Sequence, residues 1–451
     1  MINIKNRREL FVDRYMIDSM NGTFLKLHEP VPAEKSIVID RPNEGGANAG
    51  SAVIRTGGRY LMYYRGMKAD AEDGVSLAAE SEDGINWTKR ENNLVSPGGN
   101  VWLDTRPGIP ENERIKSFQT MSKSGIAHTP VNDPPGGKYL VMYTSADGYN
   151  FTKMDPQPVI ESDLLNSFDG GNNLFWSEAE QKYLLYYRIL ENDSGFYRRS
   201  VARMTSEDFY TWSEPVKMNY SDIPEQFYTN NTEPYFRAPH IYIAPAARFM
   251  ERRRVITDQQ IAEIGLMAGY KGDNTYFNDC SDAVLLTSRA GSDIYDRTFM
   301  ETFIRPGIGY GNWVSRTNYP LTGIFPLDEN RMMMYVSRHY MQNSWHVERL
   351  LLRTDGFASL SAPWKGGELT TKQFIFEGGE LELNYRTSAA GFVRVEIICG
   401  DDVYKSEEII GDEIKRIVKW QDDSSIANAS GKPVYMRFVM KDADVFSYKF
   451  N

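Results

Sequence analysis

The sequence predicts an all-β chain: a five-bladed β-propeller over residues 1–360, followed by a C-terminal β-sandwich over residues 361–451. Three observations predict it. One hairpin signal recurs five times at near-constant spacing. Tyr- and Met-rich apolar runs of strand length precede four of the copies. After about Lys365 the pattern changes to period-two alternation of apolar and charged residues.

The hairpin signal is clearest in Ser81 to Trp87 (SEDGINW), Ser145 to Phe151 (SADGYNF) and Ser206 to Trp212 (SEDFYTW). Each has Ser, then Asp two residues on, then an aromatic four residues after the Asp. Asp bonds its own turn backbone and Gly accepts positive φ, so Asp-Gly between apolar runs reads as a hairpin. Weaker copies stand at Ser288 (SRAGSDI) and Arg353 (RTDGFAS). The starts at 81, 145, 206, 288 and 353 are separated by 64, 61, 82 and 65 residues, one repeat with an insertion in its fourth copy. That insertion, Asp258 to Ala268, predicts a single short surface helix. The strand runs are RYLMYYRG from Arg59, KYLVMYTS from Lys138, KYLLYYRI from Lys182 and RMMMYVSR from Arg331. A propeller can reach this length because it adds sheets around an axis rather than enlarging one core.

In the last segment, FIFEGGELELNY, GFVRVEIICGDDVYKSEEI, IKRIVKW and VYMRFVMKDADVFSYKF alternate between tight turns, which predicts an antiparallel sandwich bracing the propeller. The N-terminal strands join either the propeller or the sandwich.

Composition excludes several functions. A net charge of −10 with no basic stripe argues against nucleic acid. Cys280 and Cys399 stand far apart and predict no disulfide framework. No apolar run approaches the roughly 18 residues of a membrane span, and MINIKNRREL lacks the apolar core of a leader. The expectation is a soluble chain, cytoplasmic as written or exported with its leader removed. Nucleophile-elbow, phosphate-loop and zinc-protease motifs are absent, and no His/Asp spacing matches a metal ligand set, so neither cofactor nor metal is expected.

In a propeller the innermost strands line the axis, so candidate site residues should come once per blade from the segments leading into those strands. The segments carry carboxylates beside Asn, Arg and aromatics: Asp40, Arg41 and Glu44 in the first, Asp104 in the second, Asp169, Asn172 and Trp176 in the third. Glu233, Arg237 and His240 follow in the fourth, and Arg316 and Asn318 in the fifth. His339, in RHYMQNSWHVER, is a further candidate. Glycosidic hydrolysis needs two carboxyl groups in different environments, about 5 to 9.5 Å apart, and such a ring could supply them. Glu233 is the expected general acid, because Pro234, Tyr235 and Phe236 could desolvate it. Asp83, Asp147 and Asp208 are expected to serve only their turns.

ELFVDRYMIDSMNGTFLKLHEPV, VIDRPNEG, FDGGNNLFW, YFRAPHIYI, YDRTFMETFIRPG, NYPLTGIFP and RTDGFASL with GGELTTK resemble a family of propeller proteins described as glycosyl-hydrolase-like. The resemblance spans nearly the whole chain. In architecture it is also similar, more distantly, to the arabinanase, xylosidase, invertase and fructanase families, which use three acidic residues from successive blades. By blade order the resemblance implies Glu44 or Asp40, then Asp169, then Glu233, with Glu44 as base or nucleophile and Asp169 orienting the sugar. The Asn-Asp-Pro entry of invertases does not stand at the first blade, and their Arg-Asp-Pro and Glu-Cys pairs do not occur. The expected activity is hydrolysis of an oligo- or polysaccharide from its chain ends. The alternatives are a non-catalytic glycan-binding propeller and, because the turns resemble the Asp boxes of six-bladed sialidases, a sialidase-like hydrolase.

Overall fold

The computed structural model of the chain describes residues 1–44, 49–67, 74–95, 100–123, 137–193, 195–220, 225–264 and 277–451. Five antiparallel sheets form the blades. Blade 1 comprises Ala49–Thr56, Arg59–Met67, Gly74–Ser81 and Thr88–Val95. Blade 2 is built on Asn100–Leu103, Ile115–Ser122 and Lys138–Ser145, with two short strands completing its edge. Blade 3 holds Asn173–Ser177, Lys182–Asp193, Phe196–Ser206 and Val216–Lys217. Blade 4 holds Glu233–Tyr235, Ala238–Met250, Cys280–Arg289 and Thr302–Ile304. Blade 5 joins Tyr319–Pro320, Arg331–Arg338 and His346–Arg353 to Val31–Val38, which supplies its outer strand from the N-terminal side of the chain. The ring is therefore closed by strand exchange between the two ends of the propeller segment. The count is five blades rather than the six of sialidases.

All five hairpin signals fall in the same place, at the end of the third strand of a blade. In the first three copies the Ser hydroxyl accepts from a backbone N–H of the turn, and the Asp carboxylate accepts from the two N–H groups that follow. For Asp83 these are Ile85 and Asn86, both at 2.8 Å. For Asp147 they are Tyr149 and Asn150, again at 2.8 Å. These donors favour the ionised form, and Asp147, raised by burial but lowered more by the turn amides, lies at about 2.

The turn glycines explain why Tyr recurs in the second strands. Tyr63 of blade 1 donates to the Gly148 carbonyl of blade 2 at 3.0 Å, and Tyr335 of blade 5 donates to Gly84 of blade 1 at 2.6 Å. A Cβ at Gly148 would stand 2.8 Å from the Tyr63 hydroxyl, and one at Gly84 2.9 Å from that of Tyr335. Gly is thus required by positive φ and by the close approach of the neighbouring blade. Each blade fastens to the next through its turn.

The fifth copy is different. After Asp355 the chain leaves the propeller, and Ala358–Ala362 pairs with Phe24–Leu27 and with Tyr435–Phe450. The sandwich draws on both ends of the chain: Ile2–Lys5, Glu9–Leu10, Ile17–Asn21 and Phe24–Leu27 all pair with strands from residues 358–450. Its core contains Phe11, Leu369, Leu383, Val395, Phe438 and Tyr448 among others. The inserted helix runs Asp258–Ile264, and the remaining positions of its expected span, 265–268, lie outside the described residues.

Candidate functional site

A cavity of about 590 Å³ runs along the propeller axis, within the range of small-molecule sites. Its wall takes residues from the inner strands of all five blades, including Val53, Trp102, Leu174, Glu233 and Tyr319. A belt of amides crosses it. Asn173 Nδ2 donates to the Thr232 carbonyl at 3.2 Å, and Asn231 Nδ2 to that of Pro320 at 2.7 Å. The Thr322 hydroxyl donates to Asn173 Oδ1 at 3.1 Å and lies 3.3 Å from Asn231 Oδ1. These bonds lock blades 3, 4 and 5 together around the channel.

Glu233 follows Thr232 and lies one step deeper than the belt. Its Oε1 accepts from the Gly323 N–H at 3.3 Å. Water reaches part of the side chain along the channel, but protein surrounds it on every side. Burial pushes its carboxyl up to about 8, against the Gly323 and Ile324 amides, which pull it down. At neutral pH most of this carboxyl is therefore protonated.

Asp169 stands at the mouth, where the segment before the blade 3 inner strand crosses the axis. It accepts from Asn166 Nδ2 at 2.9 Å and is ion-paired with the Arg188 guanidinium. Gly170 and Gly171, both at positive φ, carry the loop over the channel, and a Cβ at Gly171 would meet Thr229 Cα at 2.7 Å. Among the described residues, Asp169 and Glu233 are the two carboxylates that line the cavity. Asn172, Trp176 and Arg316 line it as well.

The other expected site residues lie elsewhere. Glu44 is fully buried but does not line the cavity. A 3₁₀ turn at Pro42–Glu44 folds its carboxylate back to accept from the Asp40 and Arg41 N–H groups, both at 3.1 Å. Tyr64, which does line the channel, donates to Glu44 at 2.6 Å and so stands between it and the axis. Lys89 bridges Glu44 and the exposed Asp40, at 2.7 Å to each. Arg41 donates to the carbonyls of Lys89 and Arg90 on the outer strand of blade 1.

Asp104 is buried against Lys116 (2.7 Å) and the Tyr183 hydroxyl (3.0 Å), a contact between blades 2 and 3. Asn318 bonds the Ser281 and Asn312 carbonyls and accepts from Arg338. His339 bonds Ser344 at 2.8 Å and packs on His346. Arg237 and His240 lie at the opposite end of the propeller, where the sandwich packs. The blade 4 hairpin turns tightly after Tyr235, so these two residues bond Asp355 and Glu9 instead of facing the axis.

Several cavity residues were not foreseen. Arg65, Arg188, Tyr64, Tyr228 and Tyr340 line the mouth. Arg188 had a visible signal: it interrupts the apolar run KYLLYYRI, and a charge inside a buried strand must face something polar. Buried polar atoms are ordinarily paired. Among the described residues, Nε1 of Trp102 and Trp176, Oδ1 of Asn172, and Nε and Nη1 of Arg188 meet no acceptor or donor in hydrogen-bond geometry. All four residues line this one cavity.

No protein-family model matches the chain, and no curated protein matches it. Solved structures do. A structure described as a glycoside hydrolase is 12% identical, with a TM-score of 0.46, over 72% of this chain and 92% of its own. A thermostable family-43 glycoside hydrolase is 12% identical with a TM-score of 0.39, over 69% and 91%. A Bombyx mori GH32 beta-fructofuranosidase is 10% identical with a TM-score of 0.42, over 94% of each chain. At these identities and scores the likeness says nothing of chemistry, which is read from the cavity walls. The chain is a five-bladed β-propeller joined to a β-sandwich, and its neighbours among solved structures include glycoside hydrolases.

Proposed function

We propose that this protein hydrolyses glycosidic bonds in its axial channel, with Glu233 as general acid. One observation carries the reading: a carboxyl kept protonated at neutral pH shares a cavity with a second carboxylate that is ion-paired. Acid catalysis of glycoside cleavage needs such a division, one group able to give a proton and one already charged. Glu233 donates its proton to the leaving oxygen as the bond breaks. Asp169 takes the role of base or nucleophile that sequence order had offered to Glu44, because Glu44 faces away from the channel behind Tyr64. Around them, Trp102, Trp176, Tyr64 and Tyr228 offer ring faces for the C–H surfaces of a sugar. Asn172 and the amide belt offer hydrogen bonds to hydroxyls. A single funnel that admits chain ends suits exo-action.

The test is release of reducing sugar from an oligosaccharide panel by the purified protein and by Glu233→Gln. General acids contribute 10²- to 10⁴-fold, so the variant should lose about that much rate while keeping its fold. A wild-type protein that binds glycans and releases nothing would instead favour the non-catalytic glycan-binding reading.

A further inference from the structure

The chain carries a net charge of −10, yet the mouth of its channel is cationic. Arg65, Arg188 and Arg316 line it, and Asp169 is the one carboxylate among the described residues at that level. Arg199 stands just behind, bonded to the neutral amide of Gln226 at 2.7 Å. The cations converge on one phenol. The Cζ atoms of Arg188, Arg199 and Arg316 lie 4.5, 5.2 and 5.6 Å from the centroid of the Tyr228 ring.

Arg188 is the residue that points to a ligand. It is 3% exposed, and Asp169 engages its Nη2. Its Nε and Nη1 meet no acceptor in hydrogen-bond geometry beside the Tyr228 phenol. A guanidinium is poorly tolerated in the interior unless it is fully paired. Gly170 lies over Nη1 without a side chain of its own, and even a Cβ there would stand 3.8 Å away. We infer that this cluster is a subsite for an oxyanion carried by the sugar, a carboxylate or a sulfate ester, with Arg188 and Arg316 as its recognition groups.

The phenol registers the excess of positive charge. Burial pushes Tyr228 up, but Arg188, Arg316 and Arg199 together pull it down, to about 8. An incoming oxyanion would add its countercharge to those of Asp169, which pairs with Arg188, and Asp279, which Arg199 and Arg316 attract. Such pairs are charge-assisted and partly desolvated, which makes them selective against neutral analogues. The inference rests on the glycan reading of the channel and narrows it to acidic or sulfated sugars.

Calorimetry at low salt tests it with methyl glycosides of galacturonic and glucuronic acid, each beside its methyl ester, and with 6-sulfated galactose beside galactose. The wild-type protein should bind one anionic member at least tenfold more tightly than its neutral partner. Which pair shows the preference identifies carboxylate or sulfate. The ratio should fall toward one in Arg316→Met and in Arg188→Met. Should loss of the Asp169 ion pair unfold the latter, Arg316→Met carries the test. Equal binding of charged and neutral members, or no binding of any anionic member, overturns the subsite. Anion preference without cleavage of any anionic oligosaccharide would sustain the subsite and defeat the hydrolase reading. Cleavage of neutral glycans by the wild-type protein, together with equal binding of charged and neutral members, would do the reverse.

Discussion

The Gly323 N–H donates to Glu233 Oε1 at 3.3 Å, and the Ile324 amide acts on the same carboxyl. These amides do not offset burial, so the acid form is favoured. This has a consequence for stability. The folded-state pKa, about 8, lies above the ordinary glutamate value of 4.5, so the folded protein binds the proton more tightly than the unfolded chain. The stabilisation is complete below about 4.5 and is lost as pH rises through 8. Glu233→Gln cannot ionise, and its Tm relative to wild type should rise steadily between pH 5 and pH 8.5. A difference independent of pH would show that the carboxyl ionises normally.

Activity should carry the same signature. If Glu233 must be protonated, kcat/KM should decline above about pH 8 on its basic limb, and the limb should disappear in Glu233→Gln. A basic limb that survives in the variant would assign it to another group, and Tyr228, also near 8, would be the next to examine.

Asp83 and Asp208 close exposed turns with two backbone N–H acceptances each. Asp83→Ala and Asp208→Ala should each cost about 0.5–2 kcal/mol in urea unfolding and leave turnover intact. The third strand of a blade runs parallel to the first, so these turns lie at the end away from the channel mouth. Abolished turnover in a folded variant would contradict that placement.

Asp355 occupies the equivalent place in the fifth repeat and should behave very differently. It is fully buried, accepting from Tyr235 at 2.7 Å, Arg237 at 2.8 Å and Ser447 at 2.5 Å, with Arg8 3.7 Å away. Asp355→Ala removes one of the two carboxylates that Arg8 and Arg237 share at the junction of propeller and sandwich, leaving only Glu382 of that pair. Removing one member of a buried pair costs about 3–5 kcal/mol, so this variant should lose several times more stability than Asp83→Ala. Equal losses would mean the junction contributes little.

The contrast between these two aspartates explains what could be read from the sequence. Turn chemistry is local, so the five repeats and the blade count were legible from three Ser-x-Asp turns and two weaker copies at similar spacing. The partner of Val31–Val38 was not, because strand exchange between residues more than 300 apart leaves no local trace. Asp355 looked like its siblings, since nothing in RTDGFAS tells of the sandwich that buries it. At the site, Glu233 and Asp169 could be picked out because each precedes or opens an inner strand. Arg237 and His240 could not be placed, since a turn of two residues after Tyr235 carries them from the axis to the far end of the blade. Glu44 was misplaced for a similar reason: its 3₁₀ turn reverses the side chain within three residues. The cationic mouth, assembled from Arg65, Arg188 and Arg316 on three blades, has no signature in any one segment.

The most direct measurement is the dependence of kcat/KM on the leaving group, compared between wild type and Glu233→Gln. A poor leaving group needs Glu233 to protonate it, and a good one, such as a dinitrophenolate, departs without help. The account predicts a loss of about 10²- to 10⁴-fold on an unactivated glycoside and recovery to near wild-type rate on the dinitrophenyl glycoside of the same sugar. Full activity of Glu233→Gln on the unactivated glycoside, or an equal loss on both substrates, would contradict Glu233 as the acid.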